Sequence, residues 1–223
     1  MSKAAQAAEN NYSLISHTMN YATLAPRATV EKVIDALKPN NFNGVMVATG
    51  ADALNKIKEL IPKGASVMNG SSTTLQQIGF VDYLKSGEHG WNNLHEAVLN
   101  EKDEKKQAEL RKYSVVSDYY LGSVHAVTED GRLVFASNTG SQLPHLAFTS
   151  PNLILVVSTK KIVPNLDEAM SRIQNDVIPL EDERMKKVYG VGTQWSKTLI
   201  LNKENPMMGR NITVIFVEED LGF

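Results

Sequence analysis

The chain has 223 residues, 42% of them hydrophobic, which is enough for a core and excludes a disordered polymer. Its formal net charge is −2, from 23 basic and 25 acidic side chains, so it lacks the basic excess that a nucleic-acid groove needs, and that partner is not expected. It contains no cysteine, which excludes disulfides, thiolate metal sites and iron–sulfur ligation by this chain.

Residues 3–22 read as a weakly amphipathic helix, so residues 1–28 are expected to form a helical extension ahead of a domain spanning 29–223. The start lacks the apolar run of a secretory signal, and no stretch reaches the roughly 18 apolar residues of a membrane span. A soluble, cytoplasmic protein without membrane contact is therefore expected. Ala25-Pro26 interrupts the first helix, and Thr29 fits the N-cap of the next. There Val30, Val33, Ile34 and Leu37 recur with helical spacing, until Pro39 and the asparagine pair at 40–41 stop it.

The valine-rich run "GVMVAT" (44–49) suits a strand covered on both faces. A helix lined by Leu54, Ile57 and Ile61 follows, and then a strand, "ASVM" (65–68). The turn Gly70-Ser71-Ser72-Thr73-Thr74 leads into another helix. The mixed charge run at 100–112 reads as a solvated helix face, and "SVVS" (114–117) as a short strand. In "GSVHAVTEDGRLVFAS" (122–137), two apolar runs flank Asp130-Gly131, a hairpin signal. "NLILVVS" (152–158) is the clearest buried strand. Asn165 and Glu168 form a capping pair before a helix marked by Leu166, Ala169, Met170, Ile173 and Val177. "KTLIL" (197–201) and "NITVIFV" (211–217) add two late strands. This alternation predicts the α/β class, with an open, mostly parallel sheet and helices on both faces.

Three polar segments are candidates for chemistry. In Gly70, Ser71, Ser72, Thr73 and Thr74, a glycine permits close approach and the hydroxyls and helix start can hold an anion. A plain N-cap by Ser72 or Thr73 explains the same residues, and both readings stay open. Glu129 and Asp130, next to Gly131, could supply acid–base catalysis if one is desolvated; the alternative is an exposed hairpin tip. Asn138, Thr139 and Gly140 precede an apolar stretch and could bind an anion or form a capped loop. His17, His89, His95, His125 and His145 lack metal-motif spacing, so no metal site is predicted. His125 is expected in the core or at a rim. His145 is the histidine expected nearest a ligand. The segment Gly190-Val191-Gly192-Thr193 reads as a loop that covers a cleft.

Four ordered blocks, "GSSTTLQQIGFVDYL", "GSVHAVTEDGRLVFASNTGSQLPHL", "LILVVSTKKIVPNLDEAMSRI" and "GRNITVIFVEEDLGF", resemble the LUD (lactate-utilisation, LutC/YkgG-like) domain family from about residue 30 onward. The resemblance implies a fold like that of ribose-5-phosphate isomerase, glucosamine-phosphate deaminase and the CoA-transferases (NagB/RpiA/CoA transferase-like). In those relatives a Gly/Ser/Thr loop holds phosphate, and an acidic Asp-Gly loop and a later glycine loop complete the site. The implied counterparts are Gly70 to Thr74, Glu129 to Gly131, and Asn138 to Gly140. Close family members often carry a cysteine cluster before the last strand, whereas this chain has "YGVGTQWSKTLILNK" (189–203) there.

Three functions follow as alternatives. The first is binding of a small anionic molecule (a phosphate ester, nucleotide or acyl-CoA) in lactate or organic-acid utilisation. The second is a non-catalytic accessory role, docking iron–sulfur or flavin redox partner proteins. The third is sugar-phosphate isomerase or transferase activity, by fold analogy alone. Catalysis, the identity of any cofactor, and homo-oligomer formation are left open at this level.

Overall fold

The computed structural model describes residues 20–223. The expected helix over residues 3–22 lies outside the described residues except for residues 20–22, which are irregular chain and turn. The first described helix, α1 (Arg27–Leu37), starts two residues before the expected cap at Thr29. Pro26 precedes it without a side-chain cap, and its ring presets the backbone for entry into the helix. Val30, Val33 and Leu37 form its buried stripe.

The main sheet has six strands, all parallel, in the order β1-β10-β7-β4-β2-β3. These are β1 (Asn43–Val47), β2 (Ser66–Asn69), β3 (Asn92–Asn93), β4 (Tyr119–Gly122), β7 (Asn152–Ser158) and β10 (Asn211–Val217). The central strands β7 and β10 show why continuous apolar runs were needed. Leu153, Leu155 and Val157 face one core, shared with α1. Ile154 and Val156 face the other, shared with α2 (Gly50–Leu60), α3 (Thr73–Gln77) and α4 (Phe80–Ser86). Side chains alternate across a strand, so helices on both faces require both sets to be apolar. Thr49 starts α2 with a complete capping box to Asp52.

Helices α5 (Leu94–Asn100) and α6 (Glu104–Tyr113) follow β3, and α6 buries no side chain, as the mixed charge run implied. The strand expected at 114–117 is instead the end of α6 and a turn, and β4 begins at Tyr119. Asp118 explains this boundary, because its carboxylate accepts from the Ser66 N–H at 2.8 Å and the Ser66 hydroxyl at 2.7 Å, registering β4 beside β2.

A second, four-stranded sheet holds the remaining strands in the order β8-β5-β6-β9. The Asp-Gly hairpin forms as expected, β5 (Ala126–Thr128) antiparallel to β6 (Leu133–Ser137). The late strand β9 (Lys197–Leu201) pairs antiparallel with β6, and β8 (Ile162–Val163) pairs parallel with β5. Val127, Leu133, Phe135 and Ile162 join the core under the main sheet. Ala126, Val134, Ala136 and Val163 face the opposite way, against α7 (Leu166–Arg172), which is capped by Asn165 as expected. A single π-helical turn, Ile173–Val177, links α7 to α8 (Ile178–Tyr189). Among the described residues, no helix is long and apolar enough to cross a membrane.

Candidate functional site

Parallel strands all end on the same side, and the loops leaving those ends converge there. Four such loops meet here. Gly70–Thr74 leaves β2, Ser123 and Val124 leave β4, a 3-10 turn ending at Lys161 leaves β7, and Gly222 follows β10. They form the floor of a cleft of about 380 Å³. The second sheet supplies one wall through Ser137, Asn138 and Thr139, at the end of β6. The helix α8 supplies the other through Ile178, Glu181, Arg184, Met185 and Tyr189.

Lys161 lies on this floor, and only 3% of it is exposed. Its Nζ lies 3.1 Å from Ser123 Oγ, 3.2 Å from Thr74 Oγ1 and 3.4 Å from the Val124 carbonyl oxygen. All three partners are neutral, and among the described residues no carboxylate lies within ion-pairing distance. Burial, reinforced by the positive charges of Arg172 and Lys160, holds its pKa well below the ordinary lysine value. Lys160, its neighbour, has different partners. It pairs with Asp220 and donates to the Gly222 carbonyl at 2.7 Å. That pairing, together with a 2.6 Å bond from the Gly222 N–H to Gln77 Oε1, straps the segment 220–222 beside the cleft floor. Gly222 is required by closeness: a Cβ there would come within 2.2 Å of Thr74 Oγ1 and 3.0 Å of Lys161 Nζ.

The remaining polar groups are positioned from behind. Ser72 caps α3, its Oγ accepting from the Leu75 N–H at 3.3 Å. That helix has only five residues, so its dipole adds little, and the hydroxyls of the turn carry the polarity. His125 lines the cleft, and its Nδ1 accepts from the Ala136 N–H at 3.0 Å, leaving the ring proton on Nε2. Burial and the charges of Lys161 and Arg172 push its pKa down to about 3, so the ring is neutral. The fully buried Arg172 donates to the His125 carbonyl at 2.7 Å and holds that segment in place. Asn138 is fixed through its carbonyl by Lys197 Nζ at 3.1 Å, and the Gly140 N–H bonds to Ser137 Oγ at 3.0 Å. On the far wall Glu181 and Arg184 form a two-pronged ion pair at 2.6 and 2.7 Å.

The cleft thus brings together Gly70, Ser71, Ser72, Thr73 and Thr74 with Asn138 and Thr139. Gly140 shapes the turn beneath Asn138 and Thr139 without lining the cleft. Glu129, Asp130 and Gly131 lie elsewhere. Glu129 borders a separate hollow of about 210 Å³ with Tyr21 and Lys160. Asp130 accepts from Arg132 at 2.6 and 3.0 Å and from the Thr128 hydroxyl. Burial pushes its carboxyl up, but those bonds outweigh it and hold the pKa below the usual value. Asn40 donates to the carbonyls of Asp130 and Gly131 at 3.2 Å, tying the hairpin tip to the end of α1. The pair is therefore not an acid–base couple facing this cleft. His145 also misses it. The ring is buried, stacks on Tyr120 at 4.4 Å and shares Nδ1 with Ser150 Oγ at 2.9 Å. From the expected covering loop, Thr193 reaches the cleft.

Lys161 was not singled out from the sequence. The available signal was its place in "STKKIV", directly after the most apolar strand, where an open α/β sheet gathers its ligands.

A family model described as the LUD domain matches residues 30–217. Among solved structures, the crystal structure of a DUF162 family protein from Deinococcus radiodurans is similar. It has a TM-score of 0.54 and 13% identity, over 87% of this chain and 99% of that one, a likeness that concerns the fold alone. No curated protein matches the chain.

Proposed function

The chain belongs to the LUD-domain family, and from that premise we propose that its cleft binds a small anionic ligand in lactate or related organic-acid utilisation. The ligand class is a carboxylate, phosphate ester, nucleotide or acyl-CoA. One observation carries the reading: Lys161 Nζ is buried on the cleft floor among neutral oxygens, with no counter-ion among the described residues. An uncompensated buried ammonium is costly, so an entering anion supplies the missing charge and draws a proton onto the amine. The hydroxyls of Ser72, Thr73, Thr74 and Ser123, and the side chains of Asn138 and Thr139, are the hydrogen-bonding groups available to orient it. Glu129 and Asp130 have no part in this assignment, because neither lines the cleft.

A melting screen with inorganic phosphate, sugar phosphates, nucleotides, CoA esters and 2-hydroxy acids tests this. A ligand present at about a hundred times its Kd stabilises the folded state by roughly 2.7 kcal/mol. At least one class is expected to raise the midpoint of the wild type and not that of Lys161→Met. If no anion shifts the wild type, or Lys161→Met responds as the wild type does, the reading is wrong.

A further inference from the structure

We propose that Lys161 is an amine nucleophile that condenses with the carbonyl group of a small 2-oxo acid, forming a Schiff base on the cleft floor; this rests on the anionic-ligand reading above and gives it a substrate class. Two kinds of lysine stand side by side after β7. Lys160 is an ammonium in an ordinary ion pair with Asp220. Lys161 points the other way, into the cleft, with Thr74 Oγ1, Ser123 Oγ and the Val124 carbonyl as its only hydrogen-bond partners among the described residues. The charged groups that act on it are Arg172 and Lys160, which oppose protonation, and the more weakly felt Asp176 and Asp220, which favour it. Arg172 is itself engaged with Asp176 at 3.6 Å. Buried among three neutral oxygens, the amine meets surroundings that disfavour its charged form, the form whose electron pair is tied up by a proton.

The same charge balance selects the electrophile. A simple ketone or aldehyde would leave a buried iminium facing the same desolvation penalty that a buried ammonium faces here. A 2-oxo acid carries its carboxylate on the carbon next to the reacting carbonyl, so the iminium and its counter-ion arrive in one molecule. The flanking hydroxyls of Thr74 and Ser123 can each donate and accept, which suits them to pass protons between nitrogen and oxygen. Glycine at 222 adds no side chain next to Nζ, where a Cβ would lie 3.0 Å away.

The Nζ lone pair attacks the carbonyl carbon and a C–N bond forms, while the C=O π pair moves to oxygen. The two amine protons pass to that oxygen, the C–O bond breaks, and water leaves. The imine nitrogen then takes one proton from solvent, giving the iminium beside the carboxylate. No oxidant or reductant is consumed.

Pyruvate, the simplest ketone of this class, is the probe. The full chain is incubated with pyruvate, reduced with borohydride, digested and mapped by fragmentation mass spectrometry. At least tenfold more of the reduced pyruvate adduct is expected on Lys161 than on Lys160 or the exposed lysines. Acetone, which lacks the carboxylate, should give no excess at Lys161, and Lys161→Arg should lose the adduct while the surface background stays unchanged. The map of the wild type stands even if the variant fails to fold. If pyruvate raises the melting midpoint but leaves Lys161 unmodified, the Schiff base is overturned and the anion reading survives. If pyruvate leaves Lys161 unmodified and no anion shifts the midpoint, both fall.

Discussion

The bends at 70–74 and 129–131 share a vocabulary of glycine next to small or acidic polar residues, yet they end in opposite circumstances. The first leaves the end of a parallel strand, and its hydroxyls line a cleft beside a buried amine. In the second, the Asp130 carboxylate and both backbone carbonyls of Asp130 and Gly131 are taken up by Arg132, Thr128 and Asn40. Residue type is the same kind of evidence in both places. What separates them is which polar atoms are already spoken for, and this depends on partners far away in the chain. A polar bend can serve a ligand only where the surrounding fold leaves some of its polar atoms without an internal partner.

Three substitutions can break or sharpen that contrast. The largest effect is expected from Gly131→Val. Gly131 has φ of 82°, and a Cβ there would lie 2.7 Å from the Ala36 carbonyl oxygen, in backbone that cannot swing aside. Left-handed backbone and the clash together should cost about 3 kcal/mol in urea unfolding, without removing the anion response of whatever remains folded. If stability is unchanged, the hairpin tip is not the structural clamp described. Next, Ser72→Ala should lower stability by about 1 kcal/mol through loss of the α3 cap. Because its hydroxyl also faces the cleft, the ligand-induced rise in melting midpoint should shrink as well. A stability loss with an undiminished ligand response would reduce this bend to a cap alone. The smallest effect belongs to Asp130→Asn. The carboxylate is 56% exposed, so its pairing with Arg132 should contribute less than about 1 kcal/mol. Its depressed pKa means that this contribution is present above the unfolded value near 4 and disappears as pH falls through the lower folded value. The variant should therefore match the wild type in strong acid, fall slightly below it at neutral pH, and bind anions equally well. Loss of ligand response in this variant would return Asp130 to the site.

Much of the fold was legible because it is written in short-range pattern. "NLILVVS" and "NITVIFV" announce strands buried on both faces, Asp130-Gly131 announces the hairpin, and Asn165 with Glu168 announces a helix start. The division into two sheets was not legible. β9 pairs with β6 across some sixty residues of chain, and β8 is only two residues long. Part of the cleft could be read, since Ser72 and Thr139 sit on residue patterns that favour anions. Lys161 could not. In sequence it is one of two adjacent lysines, and only the packing of Thr74, Ser123 and Gly222 around it makes the second different from the first.

The π-helical turn at Ile173–Val177 has a geometric role of its own. It acts as a one-residue phase insert between a helix that serves the second sheet and a helix that serves the cleft. Upstream, Ala169 and Arg172 are buried; downstream, no residue of α8 is fully buried, and Glu181, Arg184 and Tyr189 line the opening. Removing one residue from the wide turn would restore ordinary pitch and rotate everything beyond it by roughly 100° about the helix axis. The far wall would then turn its ion pair away from the opening, although no residue of that wall had been replaced.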